Sequence, residues 1–307
     1  MIVVFGSLNV DMVLPVETLP RPGNTVLCEE YKLLPGGKGA NQAVAAAKAG
    51  AKVKMFGSIG NDSFAQIARH FLESTHVDIS ALTTSDRPTG CATICVDSAG
   101  ENMITIASGA NLQASSATIP DELLTENSTV LLQMEVPAAE NWKLIERAKQ
   151  RKSRIILNLA PAQSIPDELI QTLDILVMNQ IEATVLALYL GFDVISPAIA
   201  ARRLSSKYGI TCIVTLGDEG AFACNPLGSW SVQALSIKPV DTTAAGDAFV
   251  GVLAAAFDKG LPIEQALRRA AVASGLACLT VGAQPSLPDA QQIDAALSRV
   301  PTPRRSI

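Results

Sequence analysis

The sequence predicts an α/β fold in which an open parallel sheet is covered by helices on both faces. The first observation behind this is alternation: short apolar runs bounded by turn residues are followed by helix-like stretches along most of the chain. The second is composition. Hydrophobic residues make up 48% and charged residues 17% of the 307 positions, enough for a sizeable core, while aromatics are only 4% and alanine and glycine are abundant. Small residues of that kind suit helices packed closely on a sheet.

In chain order, buried strands are predicted at "MIVVFG" (1–6), "VKMFGSIG" (53–60), "TVLLQM" (129–134), "RIILNL" (154–159), "DILVMN" (174–179) and "TCIVTLG" (211–217). Helices are predicted near 39–50, 62–75, 138–149 and 197–208, and "AFVGVLAAAF" reads as another. Gly50 stands where a helix C-terminal cap belongs. "IPDELL" (119–124) and "IPDELI" (165–170) each place a proline and acids where a first helical turn would use them. Two stretches break the pattern. Residues 12–35 are strand-like and turn-rich without a helix. Residues 89–107 read as a hairpin, with Ala92, Ile94 and Val96 alternating with Thr93, Cys95 and Asp97 around "SAGEN". Both point to a small antiparallel sheet inserted into the core, and no Ser/Gly-rich linker divides the chain.

Several function classes are disfavoured at once. A net charge of −5 leaves no basic footprint for nucleic acid. No apolar run reaches the length of a membrane span, and the N-terminus reads as a first strand rather than a signal peptide. The six cysteines (28, 91, 95, 212, 224 and 278) form no CxxC pair, and the histidines His70 and His76 lie far from most of them, which speaks against a zinc site. Free cysteines in apolar runs suit a reducing compartment, so a cytoplasmic protein is expected. The sequon at Asn127 has no secretion signal beside it.

Polar residues gather where strands end. The first strand runs into Asn9 and Asp11, spaced to share one side of an extended chain. Others end at Glu135, Asn158, Asn179 with Glu182, and Thr215 with Gly217. In open α/β sheets that edge is where ligands bind, although any one of these residues alone is equally a turn former. "GGKGANQAVAAAKAGA" (36–51) feeds a glycine turn into a helix N-terminus, a place for anions or close ligand approach. It is neither a Walker A loop, since Gly39 follows Lys38, nor a dinucleotide fingerprint, since Gln42 replaces the last glycine. "DTTAAGDAFVG" (241–251) has the same logic. Ala244, Ala245 and Gly246 precede a helix whose first N–H groups lack intrahelical partners, so a phosphoryl group fits against them. Asp247 then stands where a general base for an attacking hydroxyl is needed. Taken alone, Asp247 is also simply a favourable acid in a first helical turn.

"GSLNVD", "GGKGANQAVAAAKAGA", "NLAPA", "TLGDEGA", "DTTAAGDAF" and "GAQPSLP" occur together and in order. In this the chain closely resembles the ribokinase group of the PfkB carbohydrate-kinase family over nearly its whole length. The resemblance implies a single domain (1–307) with a three-layer, Rossmann-like α/β/α core and a lid formed by about 12–35 and 89–107. It implies ATP-dependent phosphorylation of D-ribose at the 5-hydroxyl. The sugar would contact Asn9, Asp11, Gly37, Lys38, Asn41 and Glu135. Asp247 would be the base, with Ala244, Ala245 and Gly246 forming the anion hole. Asn179 and Glu182 would serve magnesium and the phosphates, largely through water. Thr215, Gly217, Gly220, Gly246 and Ala271 would line the nucleotide. Asp241 and Ser286, with the carbonyls of Thr243, Ala277, Thr280 and Gly282, would hold an activating potassium ion. A homodimer joined through the lids is also implied. The sequence departs from its relatives at Gln180, where Glu is frequent, at Ala271 near the adenine, and before "GAQPS", where basic residues are missing. A kinase for deoxyribose, another sugar or a nucleoside stays open, as does a non-catalytic sugar-binding regulator.

Overall fold

The computed structural model describes residues 1–192 and 196–306. Strands β1 (Ile2–Phe5), β2 (Asn9–Pro15) and β3 (Lys32–Gly36) precede helix α1 (Lys38–Lys48). Next come β4 (Val53–Phe56), β5 (Ser58–Gly60), α2 (Ser63–Ser74), β6 (Thr83–Ser85), β7 (Gly90–Val96) and β8 (Asn102–Ala107). The middle of the chain holds β9 (Thr129–Leu132), α3 (Ala138–Gln150), β10 (Arg154–Asn158), the single-turn α4 (Asp167–Ile170), β11 (Ile175–Asn179), α5 (Gln180–Tyr189) and α6 (Pro197–Tyr208). It ends with β12 (Thr211–Thr215), β13 (Ala221–Asn225), β14 (Gly228–Val232), α7 (Ala245–Asp258), α8 (Ile263–Ala277), α9 (Ala290–Ala296) and β15 (Arg304–Ser306).

The main sheet runs β15-β14-β13-β12-β11-β10-β9-β1-β4. It is parallel from β12 to β4. Its strands read as unbroken apolar runs because both faces are covered. In β1, Ile2 and Val4 belong to one apolar cluster, with residues of α1, α7 and α8, and Val3 and Phe5 to the other, with residues of α3, α5 and α6. These four side chains are fully buried, and each contributes on the order of 1.5–3 kcal/mol of transfer free energy. The expected three layers are therefore present. Unforeseen are β13, β14 and β15, which extend the sheet antiparallel. They are short, and "NPLG" is the turn that joins β13 to β14.

The inserted sheet runs β3-β2-β7-β8. The expectation of an antiparallel lid needs correcting: β2–β3 and β7–β8 are antiparallel, but β2 pairs with β7 in parallel. Each segment makes its own antiparallel neighbour locally. The two meet only after the chain has passed through α1, β4 and α2, and they then run the same way. Strand β2 also begins at Asn9 rather than 12, so Asn9 and Asp11 are part of the inserted sheet. Both acid-bearing "IPDEL" segments form single turns, 3-10 at Asp121–Leu123 and α at Asp167–Ile170.

Helices α1 and α7 approach unusually closely. A Cβ on Gly251 of α7 would lie 2.6 Å from both the Ala45 Cβ and the Gln42 carbonyl oxygen of α1. Gly251→Ala is thus expected to destabilise the protein by roughly 1–3 kcal/mol through overpacking, although alanine is the better helix former by about 1 kcal/mol. Urea unfolding measures the difference, and a stabilised variant would contradict the close packing.

Candidate active site

The site begins with glycines that let backbones meet. Gly37, the residue before α1, has φ +88. A Cβ at Gly39 would lie 2.5–2.7 Å from the backbone of Gly6 and Ser7. This seats the start of α1 on the loop after β1. The Gly39 N–H donates to Ser7 Oγ at 3.2 Å, and Ser7 Oγ–H donates to Glu135 Oε2 at 2.5 Å. The Lys38 N–H donates to the same Glu135 oxygen at 3.0 Å, a carboxylate at a helix N-terminus. Gly36 opposes Asn9 across β2–β3. A side chain at Gly36 would collide with the Asp11 carboxylate, so glycine there makes room for it. Asn9 Oδ1 accepts from Asn111 Nδ2 at 2.7 Å, and Asn111 Oδ1 accepts from the Leu8 N–H at 2.9 Å.

Asp247 lies in the first turn of α7 and is 6% exposed. Both its oxygens face α1: Asn41 Nδ2 donates to Oδ2 and Gln42 Nε2 donates to Oδ1, each at 2.9 Å. Asn41 is itself buried, and its Oδ1 has no protein donor among the described residues. Ala244, just before α7, adopts a left-handed backbone with φ +58 and ψ +10, at a cost of roughly 1–2 kcal/mol for a residue with a Cβ. The Ala245 N–H is taken by Thr242 O at 3.2 Å. The N–H groups of Ala244, Gly246 and Asp247 have no protein acceptor among the described residues, so of the three expected donors only Ala245 is engaged within the protein.

A cavity of about 630 Å³ opens on one side of this turn, bordered by Thr215, Gly217, Gly220, Gly246 and Ala271 and by Phe249 and Ser274, which the sequence reading did not single out. A smaller cavity of about 230 Å³ continues past Gly246 to Lys38, Asn158, Asn179, Glu182 and Asp247. Asn179 and Glu182 form a capping box for α5. Asn179 Oδ1 accepts from the Glu182 N–H at 2.8 Å and Glu182 Oε2 accepts from the Asn179 N–H at 2.7 Å. Glu182 Oε1 is left without a protein donor among the described residues.

Asp241 staples two loops. Its Oδ1 accepts from the Thr243 N–H and its Oδ2 from the Gly282 N–H, both at 2.8 Å. Burial would raise this carboxyl, but those donors outweigh it and hold it below its ordinary value. Ser286 Oγ–H donates to Ala283 O at 2.7 Å, which leaves the hydroxyl's lone pairs available. An ionised carboxylate with carbonyls and a hydroxyl is a set of hard oxygen donors, which fits a hard cation.

Charge is crowded around Lys38. The Asp247 carboxylate above all holds its ammonium above the usual value, against burial and with help from Glu135, Glu182 and Asp11. Burial pushes Glu182 up, and the Asn179 N–H and Lys38 oppose it. Asp11 is raised from 3.8 to about 7 by burial and by the charges of Glu135 and Asp247, with Lys38 compensating only in part. The structure thus gathers Asn9, Asp11, Gly37, Lys38, Asn41, Glu135 and Asp247 at one edge. Sequence reading passed over Ser7, Gln42, Asn111 and Gln133. Ser7 and Gln42 sit inside its motifs, but nothing local points to Asn111, which lies 102 positions from Asn9.

A carboxylate at a helix N-terminus, with acid and amide groups on one side and a cleft on the other, is an arrangement suited to phosphoryl transfer onto a hydroxyl. A model of the pfkB family of carbohydrate kinases matches residues 1–290, and the chain belongs to that family. It is 34% identical to the ribokinase of Haemophilus influenzae, over 94% of this chain and 95% of that one. It is 33% identical to the ribokinase of Lactococcus lactis, over 97% of each. The crystal structure of ribokinase from Thermotoga maritima superposes with a TM-score of 0.89 at 34% identity, covering 97% of this chain and 99% of that one. The structure of Arabidopsis thaliana ribokinase complexed with ribose and ATP gives 0.86 at 31% identity, covering 96% and 98%.

The raised Asp11 has a consequence for stability. Below about 3.8 folded and unfolded chains both hold the proton. Between there and about 7 the folded chain binds it more tightly, so this stabilising contribution is lost as pH rises through that window. Asp11→Asn, always neutral, should therefore raise the thermal midpoint most near pH 8 and least near pH 4. Thermal scans of the ligand-free protein at both values check this. A difference that does not depend on pH would exclude the electrostatic cause.

Proposed function

We propose that this chain is an ATP-dependent kinase that phosphorylates D-ribose at its 5-hydroxyl, as one kinase domain spanning 1–307. The observation that carries the reading is the position of Asp247. It sits between the polar edge formed by β2 and α1 and the cleft bordered by Thr215, Gly217 and Ala271, beside the free N–H groups of Gly246 and Asp247. The likeness to ribokinases over nearly the whole chain favours ribose over another sugar or a nucleoside.

In this reading Asp11, Glu135, Asn9, Lys38, Asn41 and the Gly37 backbone hold the sugar. A polyol supplies donors, and the carboxylates accept them. Asp247 takes the proton of the 5-hydroxyl as that oxygen bonds to the terminal phosphorus of ATP and the bond to ADP breaks. The N–H groups of Gly246 and Asp247, at the positive end of α7, face the negative charge of the transferring group. Magnesium, when bound, neutralises phosphate charge, and Glu182 Oε1 is the group that would reach it through water. Asp241, the carbonyls of Thr243, Ala277, Thr280 and Gly282, and Ser286 would hold a potassium ion and so brace the loop before α7. Strand β8 is exposed, with Met103, Ile104 and Ile106 at 47, 51 and 46%. A second copy meeting the lid there would form a homodimer, which light scattering at twice 32.1 kDa would register. Six free cysteines suit the cytoplasm. No helix among the described residues is long and apolar enough to cross a membrane.

ATP consumption across a panel of pentoses and nucleosides tests the substrate. Ribose should turn over fastest, and Asp247→Asn should lower its kcat by ~10²–10⁴-fold with a smaller loss of ribose binding. A faster reaction with deoxyribose or a nucleoside moves the chain to another branch of the family. Near-normal kcat in the variant removes Asp247 as base.

Potassium should raise kcat above sodium at equal ionic strength, since bracing preorganised donors is worth up to ~10²–10³ in rate. Asp241→Ala should erase that difference and retain ribose binding. Equal rates in the two salts, with the wild type below saturation by either ion, would dismiss the cation site.

A further inference from the structure

Behind Asp247 lies a group of buried amides. Gln42, Gln133 and Asn141 are fully buried, and Asn158 is 7% exposed. Gln42 Nε2 donates to Asp247 Oδ1 and to Asn158 Oδ1, each at 2.9 Å. Gln133 Nε2 donates to Gln42 Oε1 at 2.8 Å. Asn158 Nδ2 donates to the Val177 carbonyl of β11 at 3.2 Å, and the Gln133 carbonyl accepts from Asn141 Nδ2 of α3 at 2.7 Å.

The orientation of each amide follows from the carboxylate. An ionised Asp247 only accepts, so Gln42 must present its NH₂ group there. The Gln42 carbonyl then faces Gln133, which must answer with its own NH₂ group. Gln133 Oε1 is consequently left with no donor among the described residues, although it is buried. It points at Gly6, where a side chain would collide with it. Gly6 therefore makes room for an oxygen whose direction is set two residues away, at Asp247. Turning either glutamine over would set an oxygen against an oxygen.

We propose that Gln42 is a positioning residue for Asp247, held in its donating orientation by Gln133 and Asn158. The inference rests on the reading of Asp247 as the base. Asn41 and Gln42 each occupy one lone pair on opposite oxygens, which fixes the plane of the carboxylate and leaves the remaining lone pairs for the sugar hydroxyl. A base that loses one of these anchors turns away from the attack line, and misplacement by about 1 Å costs up to ~10²-fold in rate.

The test compares Gln42→Met, Gln133→Met, the double variant and Asp247→Asn. Each is assayed for single-turnover phosphorylation of ribose by ATP and for ribose binding by calorimetry. Gln42→Met should slow the chemical step by ~10–100-fold while ribose affinity changes little. Gln133→Met should be slowed less. The double variant should be no slower than Gln42→Met, because Gln133 acts through it and coupled sites are not additive. A wild-type rate in Gln42→Met, or a double loss equal to the product of the single losses, would overturn the proposal. If Gln42→Met does not fold, Gln133→Met decides: a slower step at unchanged ribose affinity supports the proposal, and a full rate refutes it. A wild-type rate in Asp247→Asn would remove the base reading and this inference together. A slow Asp247→Asn beside a normal Gln42→Met removes this inference alone.

Discussion

A carboxylate buried away from water must be met by hydrogen-bond donors, and Asp247 finds its donors on a different helix. Asn41 and Gln42 reach it from α1 across 206 and 205 positions of sequence. That requirement draws the start of α7 against α1, and the alanines and Gly251 along their contact permit the approach. Both helices begin beside the edge where parallel strands end. The polar groups of β2 and α1 and the cleft beside α7 and α8 are thereby placed on either side of one carboxylate.

The same edge concentrates like charge. Asp11, Glu135 and Asp247 surround Lys38, a single cation close to all of them. Its compensation is incomplete, as the rise of Asp11 to about 7 shows. A folded core would be more stable with neutral groups here. The arrangement makes sense for a ligand rich in hydroxyl donors, which would relieve the carboxylates on binding. The left-handed Ala244 is a second local strain, held by the turn that aims the N–H groups of Gly246 and Asp247 outward. Exposed ion pairs elsewhere, such as Arg151 with Asp121, are surface contacts of small individual weight.

Much of the architecture was legible in the residues. A strand covered on both faces must be apolar at every position, so the runs at 1–6, 129–134 and 154–159 announced themselves. Gly50, with φ +86, ended α1 as a glycine at that place should. The first turn of α7 with its acid could be read from "TAAGD". The ordered motifs also carried the family, since glycines, amides and acids at fixed offsets within a motif are local information.

What only the tertiary structure decided depends on partners distant in sequence. The parallel pairing of β2 with β7 follows from the path taken between them, which neither segment encodes. The edge strands β13 to β15 draw order from a sheet already formed. Asn179 and Glu182 were read as ligand-facing residues, yet each also caps α5, and only geometry shows that one Glu182 oxygen is spent on the cap. Asn111 fixes Asn9, and Gln133 fixes Gln42 from 91 positions away. An amide can donate or accept in either orientation. Its role is therefore set by the neighbours that burial imposes on it, and those are known only once the chain has folded.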